Sequence, residues 1–207
     1  MHIVEGVLSA PVLVTGGIVT LGGLVLGLRH LDLEKIPATG MLAAAFFVTS
    51  LININIGPSS VHLIMNGLAG LILGWTAFPA LFVGLLLQAV FFGFGGIVVL
   101  GVNAMNIALP AVAMHFLCRS GLLASRRQAM MFGAIAGAGS IALTAIMVAF
   151  SLGLSGEEFL LTARLAVLAH VPVMIIEGIL CAFAVALIGS TKPELVGRTC
   201  GFEGIRV

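Results

Sequence analysis

The sequence predicts an all-α integral membrane protein, and three observations lead to that prediction. Of the 207 residues, 60% are hydrophobic and only 8% are charged, whereas soluble domains carry about 25% charged residues. A soluble core cannot bury this much apolar sequence without leaving part of it in contact with water. The charged residues are also clustered, so that long uncharged runs separate them, as is typical of polytopic helical membrane proteins. These runs are too long for membrane strands and do not alternate.

Seven segments are candidates for membrane helices, because a helix needs about 20 apolar residues to cross a bilayer. The fourth segment is short, and the boundary between the third and fourth is poorly marked. We expect loops at residues 94–96 and 120–128. The seven segments are 7–28, 36–54, 58–75, 78–92, 96–117, 129–154 and 160–188.

The basic residues predict the orientation, since cytoplasmic loops are enriched in Lys and Arg. With seven crossings, eight of the nine basic residues fall on one side, and Arg164 is the exception within the seventh segment. The N-terminus is then outside a plasma membrane and the C-terminus is cytoplasmic. We expect one substrate-binding transmembrane domain over residues 1–190 and a short cytoplasmic tail over 191–207. The eight residues are Arg29, Lys35, Arg119, Arg126, Arg127, Lys192, Arg198 and Arg206.

Several classes of function are disfavoured. The net charge of +1 indicates no nucleic-acid partner, and the three widely spaced cysteines indicate neither a disulfide set nor a metal cluster. The sequence has no H-E-x-x-H, no G-x-S-x-G and no G-x-x-x-x-G-K-[ST] motif. We therefore predict that the chain is not an enzyme. If it drives transport with ATP, another subunit must hydrolyse the nucleotide.

The N-terminal pair Met1-His2 predicts a metal chelate. No basic region of a signal peptide precedes the first apolar segment, so we expect the mature chain to start at Met1. Its α-amine, the amide nitrogen of His2 and the His2 imidazole can close two adjacent chelate rings around one ion. The amide must lose its proton, which Cu(II) and Ni(II) can enforce, and both ions favour square-planar nitrogen sites. One corner of the plane is left for another ligand.

His62 is the best candidate for that corner, because it falls on the outer side at the depth predicted for the N-terminus. His30 and His115 fall near inner helix ends, where histidines often contact carbonyl groups, and His170 lies deeper in the seventh segment. A single histidine at a helix end is more often structural than a ligand. The agreement of His2 and His62 in side and depth favours a shared metal site.

Other polar residues in the apolar segments could support such a site. Asn103 and Asn106 are three positions apart, so they share a helix face, and we expect them to hold the metal ligands by hydrogen bonds. Ser60 is expected to do the same. Hydrogen bonds between helices are the alternative, and we favour it for Asn66 and Gln88. Glu5 is expected at the N-terminus of the first helix.

Four stretches carry a resemblance to a known family. The opening Met1-His2-Ile3-Val4-Glu5-Gly6 resembles the M-H-I-x-E-G start of the NikM/CbiM proteins, which are substrate-binding components of energy-coupling-factor transporters for nickel and cobalt. Residues 57–67, with G-P-S-S-V-H-L and N-G, residues 87–91, with L-Q-A and F, and residues 95–106, with G-G and G-V-N-A-M-N, are also similar to theirs. The resemblance covers roughly residues 1–190.

The resemblance implies seven transmembrane helices with an extended N-terminal segment inserted into the bundle. It also implies a metal held by the Met1 amine, the His2 amide and imidazole, and His62. Expected partners are a membrane coupling subunit, cytoplasmic ATPase subunits and, in many members, a small accessory membrane subunit. Phe94 departs from the family pattern, since relatives often carry His at this position, so a polar group is lost from that loop.

We therefore predict the substrate-binding subunit of an importer that captures Ni(II), or Co(II), from outside as its transported substrate. Two alternatives stay open. A membrane-embedded metal enzyme would need an open coordination position, and a vitamin-binding subunit of the same transporter class would not need a chelating N-terminus. Planar nitrogen coordination favours nickel over cobalt but does not separate nickel from copper.

Overall fold

The computed structural model describes residues 2–51, 53–56, 59–123 and 125–197. Within them the chain is mostly helical, with one small hairpin and short 3-10 turns at Leu33–Lys35, Gly74–Thr76, Glu157–Phe159 and Pro193–Val196. The helices are α1 (Ala10–Arg29), α2 (Ile36–Thr49), α3 (Asn66–Leu73), α4 (Ala77–Phe92), α5 (Leu100–Leu122), α6 (Arg126–Gly153) and α7 (Leu160–Thr191), and the strands are β1 (Asn53–Ile56) and β2 (Ser59–His62).

The protein is a membrane protein built from apolar helices. In the described part of the chain, five helical stretches are long and apolar enough to cross a bilayer. The 14 residues of α2 span only about 21 Å at 1.5 Å per residue, less than the ~30 Å apolar thickness of a bilayer. The five stretches are Ala10–Arg29, Asn66–Phe92, Leu100–Leu122, Arg126–Gly153 and Glu157–Thr191.

The stretch Asn66–Phe92 is bent back on itself. A straight helix of 27 residues would be about 40 Å long. However, His62 just before it and Phe94 just after it both pack against the ring of His2, at centroid distances of 4.8 and 5.9 Å. The chain therefore reverses at the 3-10 turn Gly74–Thr76, where Gly74 has φ 58° and ψ −126°. As a result, α3 and α4 are antiparallel arms that begin and end at the same level.

Contacts between helices show that successive helices alternate in direction. A Cβ added at Gly70 would meet Ala111 and one at Gly74 would meet His115, so α3 and α5 run the same way. By the same criterion, α6 runs opposite to α5, because Gly121 faces Phe132 while Asn106 bonds Ser151 near the other end. The remaining helices fit this alternation. Helix α1 runs parallel to α5 and opposite to α4, because Gly16 faces Val102 whereas Gly27 faces Trp75 and Pro79. Helices α2 and α4 run the same way, since Gly84 faces Phe46 and Gln88 bonds Ser50, and α6 and α7 run opposite ways, since Gly137 faces Glu177 and Gly133 faces Cys181.

The hairpin corrects two predicted helices. Residues 36–54 and 58–75 were expected to be helical, yet α2 ends at Thr49 and α3 begins only at Asn66. Between them, β1 and β2 pair antiparallel, with Asn53 opposite His62 and Ile56 opposite Ser59. The alternation of Ile with Asn over residues 52–56 has the period of a strand, and this local pattern prevails over the apolar character of the whole region.

Two other predicted boundaries also shift. The loop expected at residues 120–128 is shorter, because α5 continues to Leu122 and α6 starts at Arg126. Ser125 caps α6 in a capping box with Gln128: the Gln128 N–H donates to Ser125 Oγ at 3.3 Å, which stabilises an earlier start. The tail beyond residue 197, including Arg198, Cys200 and Arg206, lies outside the described residues.

Candidate metal site

The described part of the chain begins with two buried residues a few positions before α1. His2 is 3% exposed and Ile3 is fully buried. Asn103 in the first turn of α5 clamps the backbone of Ile3: its Oδ1 accepts the Ile3 N–H at 2.9 Å, and its Nδ2 donates to the Ile3 carbonyl at 3.1 Å. The N–H of Glu5 donates to the carbonyl of Gly95 at 3.1 Å. These bonds hold residues 2–5 in place, and Met1 lies outside the described residues.

Glycine is required where the 94–98 loop meets this segment. Gly95 has φ 77°, a left-handed conformation that favours glycine. A Cβ at this position would also lie 2.8 Å from Asn103 Nδ2, within the clamp on Ile3.

The Glu5 carboxylate accepts the N–H of Val98 at 2.8 Å. Glu5 therefore sits at the start of α5, and its expected place at the N-terminus of the first helix is wrong.

His62 is the last residue of β2 and reaches the same place from the other side. It is 3% exposed. Its Nδ1–H donates to the Leu63 carbonyl oxygen at 2.9 Å, and because a carbonyl can only accept, the neutral ring carries its proton on Nδ1 and a lone pair on Nε2. Nε2 is buried and has no hydrogen-bond partner among the residues described here, which is the condition of an imidazole ready to bind a metal.

The rings of His2 and His62 are stacked on each other. Their centroids are 4.8 Å apart and their planes differ by 27°. Two imidazoles bound at neighbouring corners of a plane, with metal–nitrogen distances of roughly 2.0 Å, have centroids about 4.5 Å apart. The observed centroid distance is close to that value, so the two rings are near enough to bind one ion.

Both histidines are neutral at physiological pH. They precede the candidate membrane helices that follow them, and burial lowers the pKa of each from 6.5 to about 4, because the charged form loses its hydration. Smaller effects raise these pKa values: a hydrogen bond with Gln88 for His2 and the bond to the Leu63 carbonyl for His62. Neutral imidazole is the form that binds metals, so no proton has to leave either ring at pH 7.

The predicted supporting residues occupy different places. Asn103 contacts the residue that follows His2, whereas the side-chain contacts of Asn106 are with Ser151 on α6, at 3.3 and 3.4 Å. Ser60 lies in β2 opposite Asn55, and its side chain is outside what the structure describes. Asn66 makes the expected bonds between helices, to the Ile107 carbonyl and to Thr144.

Two neighbours of His2 were missed by sequence reasoning. Gln88 was expected only to join helices, and its Nε2 does donate to Ser50 Oγ, but Gln88 also hydrogen-bonds the His2 side chain. Phe94 stacks on His2 at a centroid distance of 5.9 Å and continues through Phe92 to Phe47. The sequence signals for them were the place of Gln88 in the stretch 87–91 and the departure of Phe94 from the family pattern.

The remaining histidines have distinct surroundings. At the opposite end of the bundle, His30 Nδ1–H donates to the Leu26 carbonyl at 2.8 Å, and His115 Nδ1–H donates to the Gly70 carbonyl at 2.9 Å. Their predicted contacts with carbonyl groups are confirmed. His170 Nδ1–H donates to the Ala166 carbonyl, while its buried Nε2 has no partner within the described part of the chain.

Side chains alone do not complete a metal site here. Across the described ranges there is no cluster of three or more His, Cys, Asp or Glu residues that could hold an ion. A metal bound by His2 and His62 would need further donors, and the backbone nitrogens at the start of the chain are the nearest in sequence.

Comparisons with known proteins show which proteins this chain is similar to. A family model described as "Cobalt uptake substrate-specific transmembrane region" matches residues 2–195. A protein of Haemophilus influenzae named "Putative metal transport protein" is 42% identical over 206 residues, covering 98% of this chain and all of that protein. The cobalt transport protein CbiM of Sorangium cellulosum is 28% identical over 96% of this chain and 95% of its own length.

A longer relative and a solved structure extend the comparison. The fused nickel transport protein NikMN of Rhodobacter capsulatus is 35% identical over 150 residues, which is 67% of this chain and 43% of that protein. The crystal structure of a truncated transition metal transporter superposes with a TM-score of 0.71 at 26% identity, covering 94% of this chain and 99% of that one.

Proposed function

We propose that this chain, which belongs to the CbiM family of cobalt uptake substrate-specific transmembrane regions, is the substrate-binding subunit of an energy-coupling-factor importer. It captures Ni(II), or Co(II), from outside the cell as transported substrate. The observation that carries the proposal is the buried pair of His2 and His62, whose ring centroids lie 4.8 Å apart. His2 belongs to the chelating pair Met1-His2 at the start of the sequence.

The proposed ligands are four nitrogens in one plane. They are the α-amine of Met1, the deprotonated amide and the imidazole of His2, and Nε2 of His62. Amine, amide and imidazole close a five-membered and a six-membered ring, so they are fixed in a plane by the covalent chain itself. The lone pair that His62 keeps on Nε2 fills the fourth corner. Ni(II) favours this geometry.

Asn103 is proposed to position the chelate. Its two bonds to Ile3 fix the peptide that follows His2, so the amide and imidazole of His2 keep their relative orientation. Partners of metal ligands commonly act in this way. Asn106 and Ser60 are proposed to support the site less directly, through α6 and through the strand that ends in His62.

We further propose seven membrane crossings, with the N-terminus outside and the extended N-terminal segment inserted into the bundle. The alternating helix directions and the reversal between α3 and α4 support this count. The accumulation of Lys35, Arg119 and Lys192 at one end of the helices supports the orientation. Cysteine labelling from outside should reach a probe at Glu157 but not one at Arg127, and labelling at Arg127 would contradict the topology.

The proposed partners are those that the resemblance to the NikM/CbiM proteins implies. A membrane coupling subunit and cytoplasmic ATPases would supply energy, with a small accessory membrane subunit in addition, and this chain itself would be no enzyme. In this proposal residues 1–190 form the substrate-binding domain, and 191–207 form a short cytoplasmic tail.

The decisive experiment is metal analysis of purified protein with an unmodified N-terminus. We expect one equivalent of Ni(II) per chain, with Co(II) as the weaker alternative and Cu(II) as the competitor that planar nitrogen ligands also favour. Isothermal titration with each ion gives the order of affinities. Protein that binds none of the three ions, but retains an organic ligand, would instead indicate a vitamin-binding subunit.

A further inference from the structure

A buried carboxylate contacts the chain just after His62. Glu177 on α7 is 1% exposed. Its Oε1 accepts the N–H of Ile64 at 2.5 Å and that of Met65 at 2.8 Å. These are the second and third residues after His62, so the carboxylate is fastened to the chain that carries the proposed fourth ligand.

No cationic side chain balances Glu177 in the described part of the chain. The ion pairs found there are Lys35 with Asp32 and Lys192 with Glu194, and all four side chains are substantially exposed. Buried charges are normally paired with an opposite charge or with a metal ion. A buried acid without a cation is therefore an indication that the cation comes from elsewhere.

Capping the N-terminus of α3 does not by itself require an acid. Met65 occupies the cap position with φ 52° and makes no side-chain cap bond, so the two bonds from Glu177 do satisfy backbone groups there. A neutral glutamine could accept the same two hydrogen bonds. What a glutamate adds is negative charge, placed where the helix dipole of α3 also favours it.

We propose that Glu177 supplies the counter-charge of the bound metal. The inference rests on the proposed function and extends it to a residue that is not a ligand. A divalent ion bound to one deprotonated amide and three neutral nitrogens keeps a single positive charge. Within a helix bundle of low dielectric this charge is costly, and one carboxylate held a few residues away neutralises it. Glu177 thereby raises the affinity of the site for divalent ions without contacting the metal.

The test compares Glu177→Gln with Glu158→Gln. Both remove one carboxylate, but Glu158 is exposed in the 3-10 turn Glu157–Phe159, where water screens its charge. We expect Glu177→Gln to weaken Ni(II) and Co(II) binding about tenfold or more, with the thermal stability of the metal-free protein unchanged. Glu158→Gln should bind as wild type does. Titrations use protein with a native N-terminus in detergent.

The outcomes separate the two proposals. Wild-type protein that binds metal, together with Glu177→Gln of equal affinity, would overturn the counter-charge and leave the proposed function intact. Wild-type protein that binds no metal would overturn both. If Glu177→Gln does not fold, infrared difference spectra of the wild type decide. Glu177 is the only buried Asp or Glu among the described residues, so a protonated carboxyl band persisting in the nickel-bound protein would overturn the inference, and its absence would support it.

Discussion

Asn103 binds both polar groups of the Ile3 backbone, accepting from its N–H at 2.9 Å and donating to its carbonyl at 3.1 Å. The Asn103 side chain thus bonds the Ile3 backbone as a neighbouring β-strand would, and it fixes the peptide next to His2. The contact joins residues 100 positions apart, so it ties the start of the chain to the first turn of α5.

Asn103→Ala should therefore weaken metal binding more than Asn106→Ala. Two buried backbone groups of Ile3 would lose their partner, at a cost of about 1–3 kcal/mol each, and loss of such positioning lowers metal affinity roughly 10–100-fold. Asn106 instead pairs with Ser151, so its removal should change affinity less. Isothermal titration of both variants with Ni(II) checks the order, and equal losses would contradict the special role of Asn103.

An N-terminal tag of several residues should abolish metal binding. Such a tag moves the α-amine away from His2, so the amine no longer closes a chelate ring with the His2 amide and imidazole. The same tag placed after Val207 should have no effect on affinity. Metal content after gel filtration distinguishes the two proteins, and full nickel loading of the N-terminally tagged form would exclude the amine as a ligand.

His62→Ala should lower Ni(II) affinity strongly, whereas His30→Ala should not. Removal of His62 leaves one corner of the plane to water, a much weaker ligand than imidazole. His30 is exposed at the end of α1, and its ring donates to a carbonyl of its own helix. His115→Ala is expected to reduce stability with little effect on affinity, because His115 ties α5 to α3. Similar titration curves for all three variants would show His62 to be structural.

The pH dependence of affinity should reflect two protons. With pKa values of about 4, the imidazoles of His2 and His62 compete with protons only near or below that pH. An α-amine titrates near ~7.7–8.0 and is protonated at lower pH, and the amide proton must always be displaced. The logarithm of the Ni(II) affinity should rise by about two per pH unit between pH 5 and 7. A slope of three or four would mean that the histidines titrate with ordinary pKa values.

Bound nickel should be diamagnetic and yellow. Four nitrogens in a plane, one of them an anionic amide, impose a strong in-plane field that pairs the eight d electrons of Ni(II). The ring of Phe94 stacked on His2 also makes one side of the site apolar and disfavours an added axial water. Absorption and magnetic measurements on the nickel-loaded protein test this, and a near-infrared band of octahedral nickel would point to an oxygen-rich site.

Sequence reasoning predicted the long apolar helices well, because their length and lack of charge suffice to identify them. The ranges expected for α6 and α7, 129–154 and 160–188, overlap nearly all of Arg126–Gly153 and Leu160–Thr191. The hairpin before His62 was missed because its isoleucines raise the hydropathy of the region, while its two-residue alternation occupies only a few positions.

The candidate site was predictable only in part. His2 became a candidate because chelation by an N-terminus depends on covalent spacing alone, and His62 because side and depth follow from charge distribution. The neighbours could not be distinguished in the same way. Asn66 and Gln88 are both buried amides, yet Asn66 joins helices and Gln88 contacts a proposed ligand, a difference that arises only from how α3 and α4 fold back on each other.

The shortness of α3 determines how far a bound ion would have to travel. His62 ends β2 only four residues before an eight-residue helix, and α3 rises about 12 Å before the chain turns at Gly74–Thr76. In the proposed orientation, the length of α3 would separate a metal at His62 from that turn, which is less than half of the ~30 Å apolar thickness of a bilayer. The energised step would then have to move the ion over the shorter part of the membrane.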